Sequence, residues 1–464
     1  MDLNIIAKIN TLWEGIHPHL ACFVARIYDR AEGDCLELGP FAGGIAQGLL
    51  ALAPGLKVVV AWEPPALGEA MREEDKGTPF AQRMMIIPSP LVPLAFVDQA
   101  FDLVVFRGAF FFLTPPLLQE IYRVLRYGGI AIVGGGYGPD TPQEAIMTIA
   151  AESKELNLLL GKQWMTEADL TRMIQEASLS AEAEISHDGG MWVILRKRAG
   201  TGKEQPGLVD TLALRGHEII SLVGAGGKTT LMFALARELR ERGRTVITTT
   251  TTKISEPLAE EAPCLVIEAD EAPAIALIKD GLSRDGHCTF AARRFPGGKI
   301  GGADPAFIQR LAQEQTADYI IVEADGARRL PLKAPGEDEP VIPSATTLLI
   351  PIVGIDALGR PLDNETAFRP ERIAKLTGTK FGDPITAHII ARLMSHPQGL
   401  LKGALPGARI IPFINKVETI KGLAGARTIA HEVLRQGPKE IERVVLSRLF
   451  FHRLIVEVME GDTK

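Results

Sequence analysis

Apolar residues along the chain switch between two spacings. Ile5, Ile6, Ile9, Leu12, Trp13 and Ile16 recur at helical spacing, as do Leu20, Phe23, Val24 and Ile27. His17-Pro-His19 between the sets predicts a break, giving two helices or one kinked helix. Short apolar runs then fit buried strands: Asp34 to Leu38 entering a glycine turn, Lys57 to Trp62, Arg83 to Ile87, Phe101 to Phe106, and Ile130 to Val133 after Gly128-Gly129. Helices are predicted over Leu117 to Leu125 and Glu167 to Ala177. Two β-like runs, Ala181 to Ile185 and Met191 to Arg196, are joined by Asp188-Gly-Gly. This alternation predicts a doubly wound sheet finished by an antiparallel hairpin.

Ala199 to Gly207 is small, polar and turn-rich, and predicts a linker between residues 1–198 and 208–464. Beyond it the pattern repeats. Ile219 to Val223 is a strand that enters a glycine turn and a helix opening near Lys228 and ending near Arg242-Gly243. Further strands are predicted at Arg244 to Ile247, Asp318 to Val322, Leu348 to Val353 and Arg409 to Ile414. Arg293-Arg-Phe-Pro-Gly-Gly298 reads as a flexible segment, beside His287-Cys288, which lacks a second ligand pair at metal-site spacing. The expected fold class is α/β, with two doubly wound domains. A chain of 464 residues is long enough for two or three such cores.

Composition narrows the functions. With 46% hydrophobic and 23% charged residues the chain reads as a soluble globular protein. A net charge of -7 argues against nucleic acid as the partner. Cys22, Cys35, Cys264 and Cys288 are scattered without a C-x-x-C pair, which suits a reducing compartment. The start Met-Asp-Leu-Asn lacks a basic n-region, and no apolar run reaches membrane-spanning length, since Asp102 and Arg107 interrupt Phe101 to Leu113. The expectation is a cytoplasmic protein with a small-molecule substrate and neither membrane nor nucleic acid as partner.

The chemistry concentrates in Val223-Gly-Ala-Gly-Gly-Lys-Thr-Thr230. Gly224, Ala225, Gly226 and Gly227 let the backbone turn its N–H groups toward an anion. The helix N-terminus adds partial positive charge, Lys228 a full one, and the Thr229 hydroxyl a ligand for Mg²⁺, with Thr230 next to it. The strict G-x-x-x-x-G-K-[ST] spacing fails, because its first glycine falls on Leu222. A second apolar strand delivers Glu323 and Asp325 to its carboxyl edge, where one carboxylate serves Mg²⁺ and the other the nucleophile. Arg328, Arg329 and Lys333 follow, either to neutralise phosphate or as a solvated turn. Thr248 to Thr252 fit either an extended strand end or a hydroxyl supplied to Mg²⁺ or water. Gly134 to Gly138 fit either a substrate mouth or a mobile loop.

Several stretches resemble known families. Asn415-Lys416-Val-Glu418 resembles the guanine-reading Asn-Lys-x-Asp motif of GTPases, which implies that Asn415 meets the N7/O6 edge and Glu418 accepts from N1–H. Glutamate stands where aspartate is usual, so GTP and ATP both remain open. Residues 34 to 198 resemble the class I S-adenosylmethionine-dependent methyltransferases, a Rossmann-like fold, through Glu37-Leu-Gly-Pro-Phe-Ala-Gly43, Glu63, Phe101-Asp-Leu-Val and Glu120 to Gly129. The resemblance implies S-adenosylmethionine bound at Glu37, Gly39, Gly43 and Glu63, the last on the ribose hydroxyls. It leaves open both an active methyltransferase and a degenerate, regulatory ligand-binding domain.

Residues 208 to about 456 resemble the selenium-cofactor biosynthesis proteins, also called selenium-dependent hydroxylase accessory proteins. The matching pieces are the glycine turn, Thr248 to Lys253, Val322 to Gly326, Leu332-Lys-Ala-Pro335, Glu339-Pro-Val-Ile-Pro343, Val353 to Gly359, Arg369-Pro-Glu371 and Asn415-Lys416. This resemblance implies a P-loop NTPase domain in which Lys228 holds phosphates, Thr229 and Glu323 organise Mg²⁺, and Asp325 orients the nucleophile. It further implies a role in maturing molybdenum hydroxylases, with those enzymes or cofactor-maturation proteins as partners. Two other arrangements stay open: a methyltransferase regulated by the second half, and a nucleotide-binding scaffold without hydrolysis.

Overall fold

The computed structural model describes residues 2–62, 80–108, 110–162, 165–198 and 206–461. The chain divides into two compact units, Met1–Lys203 with Phe450–His452, and Glu204–Leu449 with Arg453–Lys464. Glu63 and most of the expected linker lie outside the described residues.

In the first unit, helices Leu3–Leu12 and His17–Tyr28 precede the sheet. Pro18 sits in the first turn of the second helix, where its missing N–H has no intrahelical partner to lose, so it starts that helix instead of kinking one. The strands are β1 (Glu32–Leu38), β2 (Gly55–Trp62), β3 (Met84–Pro88), β4 (Phe101–Arg107), β5 (Leu125–Gly136), β6 (Ala183–Ser186) and β7 (Gly190–Arg196). Their order is β3-β2-β1-β4-β5-β7-β6, parallel up to β5, with β7 antiparallel to both β5 and β6. This is a Rossmann-like α/β sheet closed by the expected hairpin. Its order reverses between β1 and β4, and the carboxyl ends there flank the crevice where open α/β sheets hold ligands.

Gly134 to Gly136, the first part of the stretch read as a substrate mouth or a mobile loop, are strand. They extend β5 against β7, so close that a Cβ on Gly136 would stand 2.4 Å from the Gly190 Cα. Helix Gln143–Leu159 was not anticipated, because only Ile149, Ser153 and Asn157 along it are buried and no apolar stripe marks it.

In the second unit the strands are β8 (Glu218–Gly224), β9 (Val246–Thr250), β10 (Lys253–Ser255), β11 (Leu265–Ile267), β12 (His287–Ala291), β13 (Arg293–Phe295) and β14 (Lys299–Gly301). After them come β15 (Tyr319–Glu323), β16 (Leu332–Lys333), β17 (Leu348–Gly354), β18 (Ala367–Phe368), β19 (Arg409–Ile410), β20 (Phe413–Asn415), β21 (Arg443–Ser447) and β22 (Ile455–Glu460). The main sheet runs β11-β12-β9-β15-β8-β17-β20-β21-β22, parallel except for β22, with β19 on β17. β8 is buried along its whole length, as a central parallel strand covered on both faces must be. Ile220 and Leu222 enter one apolar cluster and Val223 another, following the two-residue strand period. Helix Lys228–Glu241 buries Leu231, Leu235 and Leu239 against the first of these clusters.

The segment read as flexible is instead ordered pairing: β13 and β14 form an antiparallel hairpin that β10 extends. His287 and Cys288 belong to β12, buried in the sheet. Burial lowers the His287 pKa to about 4. Among the described residues no group of three or more His, Cys, Asp or Glu could hold a metal ion, and no helix is long and apolar enough to cross a membrane.

Candidate functional site

Each unit carries a strand–glycine turn–helix at the carboxyl edge of its sheet. In the second, β8 ends at Gly224 and helix Lys228–Glu241 begins after Gly227. Gly226 and Gly227 have φ of +84° and +136°. A Cβ on either would come within 2.3 Å of the Gly354 amide nitrogen or of Asn415 Nδ2, so only glycine lets the turn lie against β17 and β20. The Ala225 N–H pairs with the Ile352 carbonyl, and the Gly224 N–H with Asp325 Oδ2. Among the described residues nothing accepts from the amides of Gly226, Gly227, Lys228 or Thr229. These are the unpaired donors of a helix start.

Lys228 folds back into this turn. Its Nζ donates to the Gly224 carbonyl at 2.6 Å and lies 3.1 Å from Asp325 Oδ1 and 3.6 Å from Glu323 Oε1. Burial works against the ammonium, but the Asp325 and Glu323 carboxylates outweigh it and raise the Lys228 pKa. Burial raises the Glu323 pKa too, with Lys228 and Thr229 opposing. Thr229 Oγ1 donates to Glu323 Oε2 at 2.6 Å, and Thr230 is exposed on the helix's first turn. The structure thus brings Lys228, Thr229, Glu323 and Asp325 together, as their spacing predicts.

Behind them lies a layer that the sequence did not disclose. Lys333, read as one of three candidate phosphate neutralisers, is wholly buried; its Nζ is 3.0 Å from Asp325 Oδ2 and donates to Glu339 Oε2 at 2.8 Å. Arg369 Nη1 donates to the same Glu339 oxygen at 2.7 Å. Burial raises the Glu339 pKa, but Arg369 and Lys333 overcome it and bring it down to about 2. The one available signal was Lys333 standing inside the apolar Leu332-Lys-Ala-Pro335 run. Thr248 and Thr249 are consumed in the sheet, by His287, Thr289 and the Phe290 carbonyl. Thr250 donates to the Glu323 carbonyl and Thr251 to the Val341 carbonyl. Those four hydroxyls are structural.

The base-reading stretch needs correction. Asn415 is buried, donates Nδ2–H to the Gly226 carbonyl at 2.7 Å, and accepts at Oδ1 from Ser447 Oγ and the Leu449 N–H at 3.1 and 3.0 Å. Its acceptor is saturated and one of its two N–H groups is used, so it braces the glycine turn and retains a single donor for a base. Lys416, with a left-handed φ of 65°, pairs with Asp356 Oδ2 at 2.6 Å. Glu418 is part-buried, and burial, then Asp356, push its carboxyl up to about 7.

In the first unit, the turn after β1 holds Gly39 at φ +102° and Gly43 at φ +108°. A Cβ on Gly39 would lie 2.6 Å from Phe106 Cε2. Glu37, expected on the cofactor, faces inward instead. It is fully buried and accepts from the amides of Ile45 at 3.2 Å and Ala46 at 2.8 Å, and from Gly43. It therefore caps helix Gly44–Leu52. Burial raises its pKa, while Arg107 and these amides lower it. Arg107, which the sequence did not single out, is buried at the end of β4 between the Trp13 and Phe41 rings, 5.0 and 5.7 Å from their centres, and donates to the Phe41 carbonyl.

Comparison with protein families matches residues 220–371 to the family described as YqeC protein and residues 36–133 to that described as methyltransferase domain. Among curated proteins the chain is similar to the uncharacterised protein YqeC of Escherichia coli (strain K12), at 35% identity over 209 residues, covering 45% of this chain and 80% of that protein. Among solved structures it is similar to a Methanococcus maripaludis protein provisionally assigned as an S-adenosyl-L-methionine-dependent methyltransferase, with a TM-score of 0.37, 21% identity, and 43% and 93% of the two chains covered. It is also similar to human N-acetylserotonin methyltransferase in complex with S-adenosylmethionine, at a TM-score of 0.30 and 17% identity, covering 42% and 56%. The first match contains the glycine turn, Glu323, Asp325, Lys333 and Glu339 and stops before Asn415; the second contains Glu37, Gly39, Gly43 and Arg107. The first unit is a methyltransferase-like domain.

Proposed function

This chain belongs to the YqeC protein family, and from that premise we propose that its second unit is a Mg²⁺-dependent nucleoside triphosphatase. It acts in maturation of the selenium/molybdenum cofactor of molybdenum hydroxylases, joined to a first unit that binds S-adenosylmethionine. One observation carries the nucleotide reading: a buried ammonium, Lys228, points into a turn whose amides from Gly226 to Thr229 have no acceptor among the described residues, beside a hydroxyl–carboxylate pair. Asp325 Oδ1 supports it further: it is buried, and among the described residues the Lys228 ammonium 3.1 Å away is the cation paired with it, so a ligand that draws Lys228 away frees it.

Lys228 Nζ would exchange the Gly224 carbonyl for β- and γ-phosphate oxygens, and the amides from Gly226 to Thr229 would donate alongside. The Thr229 hydroxyl and Glu323 carboxylate are hard oxygen donors of the kind Mg²⁺ selects, and that ion, when bound, would add positive charge beside the phosphates. Asp325 would orient the attacking water. As Lys228 turns to phosphate, Lys333 would keep Asp325 paired, which spares a buried carboxylate from being left without a counter-charge. Either GTP or ATP fits this arrangement. Guanine is favoured to the extent that Glu418 is ionised and meets N1–H. The maturation role, with a hydroxylase or a maturation protein as partner, rests on the motif run from Val322 to Pro343 and its resemblance to the selenium-cofactor proteins.

Steady-state phosphate release by the full chain tests the core of this reading. Mg²⁺-dependent release that Lys228→Ala abolishes is expected. Nucleotide binding without release by the wild type would replace it with a non-hydrolysing scaffold. For the first unit, calorimetric titration with S-adenosylmethionine should give binding that Glu63→Ala weakens by about 1.5–3 kcal/mol, the scale of charge-assisted hydrogen bonds. No heat with the wild type would remove that cofactor. The client assignment fails if deleting the gene leaves the selenium content of the cell's molybdenum hydroxylase unchanged.

A further inference from the structure

The ions nearest the glycine turn of the second unit balance one another. Lys228, Lys333 and Arg369 face Glu323, Asp325 and Glu339, three cations against three carboxylates. Just outside, at the carboxyl ends of β15 and β9, the balance fails. Arg328 and Arg329 follow Asp325 by three and four residues, and Lys253 follows Thr250 by three. Arg293 joins Lys253 on the three-stranded β10-β14-β13 sheet. All four are exposed, and among the described residues none pairs with a carboxylate.

They are also held in position. Arg328 lies over the Phe368 ring at 4.7 Å, and Lys253 and Arg293 over Phe295 at 4.1 and 4.9 Å, contacts that orient a cation without neutralising it. Arg329 Nη2 reaches Ser255 Oγ at 3.5 Å, which ties the arginine turn to β10. The turn itself is strained. Arg328 and Arg329 have φ of 51° and 62°, and the Leu330 N–H closes on the Ala327 carbonyl, the pattern of a type I′ turn that favours Asn and Gly. Two successive arginines in the left-handed region are strained, and such strain gathers at ligand sites.

We infer that Arg328, Arg329, Lys253 and Arg293 form a binding site for a second anion, a phosphate-bearing small molecule held at the rim beside the nucleotide. Guanidinium forks match phosphate oxygens, and several uncompensated positive charges suit a dianionic group better than a single carboxylate. The inference rests on reading the inner turn as the nucleotide's phosphate site, since that leaves the rim cations for another ligand.

The test uses the full chain loaded with Mg²⁺ and a non-hydrolysable triphosphate, titrated with inorganic pyrophosphate. Binding is expected, and Lys253→Gln/Arg293→Gln should weaken it about tenfold or more while leaving nucleotide affinity unchanged. Absence of binding to the loaded wild type, or equal binding by the variant, overturns the proposal. If the wild type takes up no nucleotide, the proposed function fails separately. The rim is then decided in Lys228→Ala protein: pyrophosphate binding lost on adding the two rim substitutions supports it, and unchanged or absent binding overturns it.

Discussion

The two glycine turns share a backbone plan and differ in what answers the helix N-terminus behind them. In the first unit a carboxylate of the chain, Glu37, accepts from the amides at the head of helix Gly44–Leu52, and Phe41 and Arg107 fill the space around the turn. In the second, Asp325 takes the Gly224 N–H, but among the described residues the amides from Gly226 to Thr229 stay open, and an ammonium, Lys228, lies folded into the turn beside them. A helix start offers partial positive charge in either case. Where the protein supplies the anion, the turn is a structural joint and any ligand meets its outer surface. Where it supplies a cation instead, the turn awaits an anion from solution. Two similar motifs therefore assign different chemistry, and the deciding residues stand outside both motifs.

The largest effect should come from removing the cation. Lys228→Ala should lower triphosphate hydrolysis by at least about a hundredfold, the scale of losing one preorganised electrostatic contact. Circular dichroism on the same sample separates lost chemistry from unfolding, which matters because Glu323 and Asp325 lose a buried counter-ion. Hydrolysis at the wild-type rate would erase the contrast between the turns. Next, Glu37→Ala should destabilise the first unit by about 2–3 kcal/mol in urea unfolding, through loss of charge-assisted bonds to buried amides, and leave nucleotide hydrolysis unchanged. An unchanged midpoint would mean that the helix start does not depend on Glu37.

Smaller effects follow from Glu418. With its carboxyl pushed up to about 7, it accepts fully from guanine only above that pH, so any preference for GTP over ATP should grow between pH 6 and 8 and vanish in Glu418→Ala. A preference that is flat with pH would place base reading elsewhere. The same shift has a stability consequence. An acid whose folded pKa is raised above its usual 4.5 loses stability as pH climbs from there to about 7. Glu418→Gln should therefore unfold at higher denaturant than the wild type at pH 8, by on the order of 1–3 kcal/mol, with the gap closing near pH 4.

Periodicity made the first sheet legible almost strand by strand, because each central strand is a short apolar run bounded by turn residues. It also placed Lys228, Thr229, Glu323 and Asp325 at one edge, since strand–turn–helix spacing fixes where such side chains emerge. The rest depended on partners far apart in the chain. Nothing local tells that Lys333 is buried on Asp325, or that Asn415 holds the Gly226 carbonyl 189 residues away. β11 and β12 escaped notice because the first is only Leu265-Val-Ile267 and the second opens on His287-Cys-Thr, and neither carries enough pattern. Glu37 misled for a related reason: an acidic residue before a glycine turn reads the same whether it caps a helix or faces a cofactor.

Backbone amide hydrogen exchange on the full chain, with and without saturating Mg²⁺-triphosphate, tests the contrast between the two turns most directly. Nucleotide should slow exchange at residues 226–229, which have no acceptor among the described residues, and leave residues 43, 45 and 46, whose amides Glu37 holds, unchanged. Saturating nucleotide that leaves 226–229 unprotected, or that protects 43, 45 and 46 instead, would contradict that contrast.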